Sequence, residues 1–334
     1  MTSPRIDVYA QLPLNISLEP DVNIDVDPRN WRWIHCLTFP IPSLDSLQFT
    51  PRPYKWIRYA IGAVIGAQGF LSTRQELVEA VNYNAALPDA SIKLYYHVSN
   101  EEKRRMFPLD PHILRTDITS SVHTPRREHF SNQVAERDGG TCVWSGSELC
   151  DAVHLLSHSK GNAYISVYTE RRSRDNDKRD IISDIDDIRN GLFLTYAAHV
   201  VLGRNLAFLV TPNFAMDTAD IDPNAPPLEK RYTAHVFKPD PALRFESASL
   251  QIKGTYNDPP DILFDAVYAS ALLHQFADGS PDSFDMLMAL PYILIPPDEL
   301  QKAMKEAEEK IEAAEQQRVQ AKVESWLRQV DSGT

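Results

Sequence analysis

Cysteine is scarce in this chain, and its spacing argues against two kinds of stabilising site. The three cysteines, Cys36, Cys142 and Cys150, are odd in number and show no C-x-x-C spacing. A disulfide framework needs paired cysteines, and a structural zinc site needs closely spaced thiolates. We therefore expect three reduced thiols.

Long hydrophobic runs are also lacking. No stretch reaches the roughly 18 to 20 uncharged apolar residues that cross a bilayer, and residues 1–20 lack the basic start and apolar run of a secretory signal. Hydrophobic residues make up 43% of the 334 positions, which is enough for a substantial core. We expect a folded, intracellular protein that does not enter a membrane, and the sequence does not distinguish nuclear from cytoplasmic placement.

Positive charge is in deficit. The formal net charge is -12 at pH 7, and most of the excess negative charge lies in the last third of the chain. Broad binding of nucleic acid depends on clustered Lys and Arg that neutralise phosphates. The composition therefore argues against a protein that coats nucleic acid over a wide basic face.

The N-terminal segment, residues 1–118, is predicted to be a mixed α/β unit whose function the sequence does not indicate. Alternating or apolar runs predict strands at Ile6–Tyr9, Trp31–Phe39 and Ile92–Val98, and helices at Tyr54–Phe70 and Arg74–Tyr83. The glycines of the first helix do not fit G-x-G-x-x-G. Close packing or a turn is a better interpretation of them than phosphate binding.

The C-terminal segment, residues 228–334, ends in a long predicted helix at about 298–330. It starts after Pro296-Pro297, contains no Gly or Pro, and is acidic with a narrow apolar stripe. Such a stripe is suited to self-association or to docking a partner. A helix packed on its own domain, or partly detached in solvent, explains the pattern equally well.

The middle of the chain carries the most informative pattern. A helix is predicted from Thr124 to the Gly139-Gly140 pair, followed by a short strand near Cys142 and a turn. A second strand, Asp151–Leu156, carries His154. A variable segment, residues 157–183, follows this strand, and we call it the excursion. Asn190-Gly191 and a predicted helix that contains His199 come after it. The two strands joined by a tight connection, and the helix after them, predict a ββα unit.

This pattern resembles the HNH (ββα-metal) nuclease family, in the form found as a domain in many fungal proteins. The matching residues are C-V-x-S-G from Cys142, D-A-x-H-L-L from Asp151, I-R-N-G-L-x-L from Ile188, His199, and A-F-L-V-T-P-N-F from Ala207. The resemblance covers about residues 124–220. It implies an α+β protein with a central ββα-metal module, flanked by the N-terminal unit and the long C-terminal helix.

The resemblance also implies roles for three residues. His154 would be the general base that activates water, Asn190 would fix the loop and the imidazole of His154 through its amide, and His199 would bind a divalent cation, Mg²⁺ or Mn²⁺. Simpler interpretations remain open. His154 lies among apolar residues and fits a core histidine, Asn190-Gly191 is a common turn pair, and His199 could be an ordinary helical residue.

The sequence departs from the family pattern at the second metal ligand. Val153 stands where many HNH enzymes have Asp or His, and it cannot coordinate a cation. Asp151 is the candidate replacement, although a regular strand would point it away from His154. Arg189 could hold a phosphate or pair with Asp186 or Asp187.

The excursion also contains several arginines. The mixed charge run at 171–179 is interpreted as a solvated loop that could supply phosphate contacts.

These observations lead to two functional hypotheses. The first is a metal-dependent HNH endonuclease that hydrolyses phosphodiester bonds in nucleic acid, with DNA favoured as the substrate. The second is a non-catalytic binding or interaction protein that retains a degenerate HNH scaffold. Val153 and the net negative charge favour the second hypothesis.

Overall fold

The computed structural model describes residues 3–13, 26–76, 79–114, 125–239, 249–280 and 283–284, with only the backbone at 125–127. Met1–Ala289 form one compact unit, and Leu290–Thr334 form another. Helices and strands are mixed in the first unit, which confirms the α+β class. The helix at about 298–330 lies outside the described residues, so its proposed docking role and the domain boundaries stay predictions.

A four-stranded sheet is built from the N-terminal segment. Its strands are β1 (Arg5–Pro13), β2 (Trp31–Pro40), β3 (Gly69–Ser72) and β4 (Ile92–Val98). The order across the sheet is β2-β1-β4-β3, with β1 parallel to β4 and the other two pairings antiparallel. Alternate residues of β1 from Ile6 onward are buried, as expected for a strand with one face on a core. The three strands predicted in this segment are confirmed.

Helices α2 (Pro53–Ile65) and α7 (Asp261–Phe276) pack against each other, with α2 contacting β1 and α7 contacting β2. Two buried polar contacts join the helices. The indole N–H of Trp56 donates to the hydroxyl of Tyr268 at 2.6 Å, and the hydroxyl of Tyr59 donates to the carboxylate of Asp265 at 2.6 Å. The core therefore joins residues that are about two hundred positions apart in the chain.

Helix α2 ends sooner than the predicted helix at Tyr54–Phe70. Gly66 caps it with φ 73°, a left-handed conformation that favours glycine, and its N–H donates to the carbonyl of Gly62 at 2.9 Å. Gly69 then begins β3. The interpretation of these glycines as packing and turn residues is confirmed.

Five further helices and four further strands are described. They are α1 (Ile41–Leu47), α3 (Asn100–Arg105), α4 (Pro125–Asp138), α5 (Gly161–Arg172), α6 (Tyr196–Val201), β5 (Cys150–His154), β6 (Gly191–Thr195), β7 (Leu206–Thr211) and β8 (Arg231–Val236). Strands β5 and β6 form one antiparallel pair, and β7 and β8 form another. Helix α4 confirms the helix predicted from Thr124 to Gly139-Gly140.

The helix predicted at Arg74–Tyr83 is wrong. Apart from residues 77–78, which are not described, this segment is irregular chain with a bend at 75–76 and a turn that begins at Tyr83. Its polar groups are tied to β3 instead. The N–H of Val81 donates to the carbonyl of Leu71 at 2.9 Å, and the N–H of Leu71 donates to the hydroxyl of Tyr83 at 2.9 Å.

The tight hairpin predicted before His154 is also wrong. The segment after Thr141 is a turn in which the N–H of Cys142 donates to the carbonyl of Ser147 at 2.8 Å, and the N–H of Gly146 donates to the carbonyl of Cys142 at 2.8 Å. The partner of β5 is β6, on the far side of the excursion. His154 therefore lies on the first strand of the pair, and the order strand, strand, helix is formed by β5, β6 and α6.

The charge run at 171–179 is the predicted solvated loop only in its second half, where residues 176–179 are exposed. Arg172 is only 6% exposed, and its guanidinium donates to the carbonyls of Ala63 at 2.6 Å and Phe107 at 2.7 Å. Arg174 forms two hydrogen bonds of 2.6 Å with Glu102. These arginines fasten the excursion to the N-terminal segment, because buried carbonyls and a carboxylate face them there.

Two expectations from composition can be compared with the described residues. Cys36, Cys142 and Cys150 are all free thiols, as predicted. Within the described ranges, no helix combines the length and apolar character needed to cross a membrane.

Candidate functional site

The pairing of β5 with β6 places His154 at one end of a short two-stranded ladder. His154 lies opposite Gly191, the first residue of β6, and Cys150 lies opposite Thr195 at the other end. Helix α6 follows directly and contacts both strands. The hydroxyl of Thr195 accepts from the N–H of Ala198 at 3.4 Å and so caps this helix.

Asn190 is fully buried and closes the end of the ladder beside His154. Its backbone carbonyl accepts from the N–H of Leu155 at 2.8 Å, and its side-chain oxygen accepts from the N–H of Leu156 at 2.9 Å. Its amide nitrogen donates to the carbonyls of Leu156 at 3.0 Å and Ile185 at 2.8 Å. These bonds hold the backbone that follows His154 against the turn at Ile185. The amide bonds to backbone groups, however, and not to the imidazole of His154 as expected.

The imidazole of His154 is held by Asp186 instead. The Nε2 atom of His154 lies 3.0 Å from Oδ1 of Asp186, and the two side chains are 15% and 7% exposed. The Nε2 atom of His158 lies 3.6 Å from the same oxygen, although this ring is 65% exposed. One carboxylate therefore faces two imidazoles, one mostly buried and one at the surface.

Phe130 of α4 fixes the plane of the His154 ring. The two rings are stacked with centroids 3.9 Å apart and an interplanar angle of 8°. Cys150, Ala152 and His154 point to the face of β5 that α4 covers, because residues two apart on a strand share a face. His154 is thus oriented by a ring on one side and by a carboxylate at its Nε2 atom.

This arrangement has a direct chemical meaning. With Asp186 ionised, its carboxylate can only accept hydrogen bonds, and Nε2 of His154 then carries the hydrogen in the bond to Asp186. The lone pair of the neutral ring is then on Nδ1. A carboxylate that fixes the tautomer of an imidazole and stabilises its protonated form is the arrangement that makes histidine an effective general base.

Gly191 is required by packing rather than by a turn. A Cβ atom at this position would lie 2.6 Å from Cγ2 of Val134 and 2.8 Å from Cζ of Phe130. The residue is in extended backbone within β6, with φ -129°. The interpretation of Asn190-Gly191 as a turn pair is therefore wrong at Gly191, since glycine lets α4 approach the strand.

The two predicted metal ligands, His199 and Asp151, are both exposed. Asp151 is exposed and points to the face of β5 opposite to that of His154. Val153, at the usual ligand position, is buried. His199 is exposed in the middle of α6. Among the residues that the structure describes, no three or more His, Cys, Asp or Glu side chains form a group that could hold a metal ion. A cation here would depend on His199 with few other protein ligands.

Arg189 pairs with Asp187, which was one of the two alternatives predicted for it. Its guanidinium donates to Asp187 at 2.7 Å and to the carbonyls of Arg179 at 2.7 Å and Ile181 at 3.2 Å. These bonds tie the end of the excursion to the turn that carries Asn190. A direct phosphate contact by Arg189 stays a prediction.

Comparison with known proteins does not identify a family. No protein-family model, curated protein or solved structure matches the chain. The interpretation of the site therefore depends on its own geometry.

Two important site residues were missed from the sequence. Asp186 belongs to an acidic loop in which Asp184 and Asp187 are equally suitable by composition, and Phe130 belongs to a helix distant from His154 in sequence. The available signal for Asp186 was its position four residues before Asn190. Only the fold shows which of the three carboxylates meets the imidazole.

Proposed function

We propose that this protein is an endonuclease of the HNH type, which hydrolyses phosphodiester bonds in nucleic acid and favours DNA. The proposal is supported by the order of β5, β6 and α6, with His154 at the end of the first strand, Asn190 before the second and His199 on the helix. The observation that carries it is the 3.0 Å contact between Nε2 of His154 and Asp186. This contact prepares a partly buried imidazole for proton abstraction.

In the proposed reaction, His154 acts as the general base. Its Nδ1 atom takes a proton from a water molecule, the water oxygen forms a bond to phosphorus, and the bond from phosphorus to the leaving oxygen breaks. The leaving oxygen departs with the electron pair of the broken bond and takes a proton from solvent. The proton from the attacking water stays on the imidazole, where Asp186 stabilises the positive charge, until it is released to solvent. Asn190 and Asp186 are positioning residues, because they act through His154 and the backbone beside it.

A divalent cation, Mg²⁺ or Mn²⁺, is part of the proposal, with His199 as its first ligand and Asp151 as a weaker candidate. When bound, such a cation would supply positive charge near the leaving oxygen. Magnesium commonly keeps several waters and takes further ligands from substrate phosphates, so a site with few protein ligands suits a cation that arrives with the substrate.

Plasmid nicking tests the catalytic proposal. Purified protein is incubated with supercoiled DNA and Mn²⁺ or Mg²⁺, and formation of open circles is followed with and without a chelator. We expect nicking that the chelator abolishes. A preparation that is folded by circular dichroism and leaves the plasmid intact with both metals, and that also leaves RNA intact, would overturn the proposal.

A non-catalytic binding protein is the second candidate function. It is favoured by the lack of a metal-ligand cluster among the described residues and by the engagement of Arg189 within the protein. Calorimetric titration with Mn²⁺ in the presence of a non-hydrolysable DNA analogue separates the candidates, with His199→Ala as the matched control. The endonuclease proposal expects uptake of the ion that is lost in the variant, whereas the binding protein expects no specific uptake in either.

A further inference from the structure

The sheet formed by β1 to β4 has two unlike faces. The inner face carries fully buried aliphatic residues, among them Ile6 and Val8. The outer face carries aromatic residues from all four strands, namely Tyr9, Trp33, His35, Phe70, Tyr95 and His97. Each of these six side chains is partly exposed. We call this set the aromatic face.

The rings of the aromatic face form one continuous series. Tyr9 contacts His35 and Tyr95, with centroids 5.1 and 5.5 Å apart. Trp33 crosses the sheet and contacts both Tyr95 and His97 at 5.2 Å. His97 is stacked on Phe70 at 5.2 Å with an interplanar angle of 17°. Cross-strand aromatic pairs stabilise sheets in general, but a series that spans four strands also offers several ring surfaces to a ligand.

Positive side chains lie at the margins of this series. The ammonium of Lys93, an exposed residue, is 5.6 Å from the centroid of the Tyr9 ring. Arg5 is exposed and forms an ion pair of 3.2 Å with Asp7. At the other end, a groove of 360 Å³ beside Phe70 and His97 has Arg58 in its wall.

Three acidic side chains lie close to the aromatic face or to this groove. Glu102 accepts from the N–H of Gln68, a residue of the groove wall, at 2.7 Å and is paired with Arg174. Asp7 is 9% exposed and accepts from the hydroxyl of Thr38 at 2.9 Å as well as facing Arg5. Asp278 lies 3.8 Å from Nδ1 of His35. Lys93 therefore carries exposed positive charge at one margin of the aromatic face. At the other margin Arg58 borders the groove, where its Nε donates to the carbonyl of Gly69 at 2.6 Å.

We propose that the aromatic face binds single-stranded nucleic acid, with unpaired bases stacking on Tyr9, Trp33, Tyr95 and Phe70 and phosphates meeting Lys93 and Arg58. Bases stack on aromatic side chains when they are unpaired, because in a duplex their faces are covered by neighbouring bases. The specific substrate class rests on the proposed nuclease function, since this surface would hold a strand of the same kind of polymer that the site around His154 cleaves.

The binding test uses the full chain and a fluorescently labelled oligothymidine of about 12 nucleotides, a length within the range that one such surface covers. Anisotropy is measured in a chelator, so that no cleavage occurs. Tyr95→Leu should weaken binding about tenfold or more, because one base-to-ring contact is lost, whereas Tyr95→Phe should stay within about twofold of the wild type. Tyr256→Leu is the matched control, because Tyr256 is 89% exposed and lies outside the aromatic face.

Several results would overturn this inference. The first is that the wild type does not bind the oligonucleotide. The second is that Tyr95→Leu binds it as tightly as the wild type, and the third is that duplex DNA competes for the site as strongly as unlabelled single strands do. Self-association that Tyr95→Leu abolishes, without oligonucleotide binding, would instead identify the face as an interface between copies. The proposed function is tested separately. If the protein binds the oligonucleotide through Tyr95 but never nicks a plasmid, the nucleic-acid-binding inference stands and the nuclease proposal is overturned.

Discussion

Asn190 and Leu156 exchange two hydrogen bonds. The side-chain oxygen of Asn190 accepts the N–H of Leu156 at 2.9 Å, and its amide nitrogen donates to the carbonyl of Leu156 at 3.0 Å. The amide thus acts as one more residue of the ladder and fixes the backbone immediately after His154. These two hydrogen bonds help to fix the backbone from which the imidazole of His154 projects, so the geometry of the site depends on them.

Removal of the Asn190 amide should destabilise the whole unit. Asn190→Ala leaves the N–H of Leu156 and the carbonyls of Leu156 and Ile185 buried without their partner, which should lower the free energy of unfolding by about 3 kcal/mol. Urea denaturation measures the change. Asn224→Ala, at an exposed position, should stay within about 0.5 kcal/mol of the wild type. Equal effects of the two substitutions would contradict the structural role.

Gly191→Ala should be destabilising for a steric reason. Its new methyl group would lie 2.6 Å from Cγ2 of Val134, and relief of this overlap should cost about 2 kcal/mol. In a Val134→Ala background the overlap with Val134 is removed while the overlap with Phe130 remains, so the cost of Gly191→Ala should fall by about 1 kcal/mol. A double-mutant cycle by thermal or urea unfolding checks this coupling. Strict additivity would show that Val134 does not limit the size of residue 191.

Asp186→Asn should impair catalysis without impairing substrate binding. The amide cannot stabilise a protonated imidazole, so kcat for plasmid nicking should fall about 100-fold, whereas KM should change less than about threefold. Asp177→Asn is the control on the same excursion, because Asp177 is 73% exposed. A purely structural role for Asp186 would change both kinetic constants or only the stability.

Asp265 should make the protein less stable as the pH rises. Burial raises the pKa of Asp265 to about 6, from an ordinary value of 3.8. The folded state therefore holds this proton more tightly than the unfolded state, and stability present below about pH 4 is lost as the pH rises through about 6. Asp265→Asn keeps an acceptor for the hydroxyl of Tyr59 and removes the buried charge.

The Asp265→Asn variant should therefore be more stable than the wild type at pH 8, by up to about 3 kcal/mol, with the gain vanishing near pH 4. Urea denaturation across this pH range tests the prediction, with the exposed Asp45→Asn as a control. A variant that is destabilised equally at all pH values would contradict a raised pKa of Asp265, because the cost of a buried charge depends on pH.

The local elements could be predicted from sequence, whereas their pairing could not. Helix α4 was predicted because Thr124-Pro125 and Gly139-Gly140 bound it, and β4 because its apolar residues alternate. The pairing of β5 with β6 joins segments that are separated by the whole excursion, and no local sequence pattern predicts this pairing. The predicted hairpin before His154 was wrong because the turn at Cys142 satisfies its own hydrogen bonds.

The site shows the same division. His154 and Asn190 were identified by their spacing, and the structure brings them together at one end of the ladder. Asp186 and Phe130, which orient the imidazole, were missed because contacts between a loop, a helix and a strand depend on the packed fold. The outer aromatic residues were also missed, since alternation indicates two faces of a strand but not which face meets the core.

The most direct test of the account compares His154→Ala with His158→Ala in plasmid nicking with Mn²⁺. Both imidazoles face Asp186, but only His154 is mostly buried and stacked on Phe130. We expect His154→Ala, with its fold intact by circular dichroism, to lose at least about 100-fold in nicking rate, and His158→Ala to lose less than about fivefold. Unchanged nicking by His154→Ala would contradict the assignment of the general base and with it the proposed mechanism.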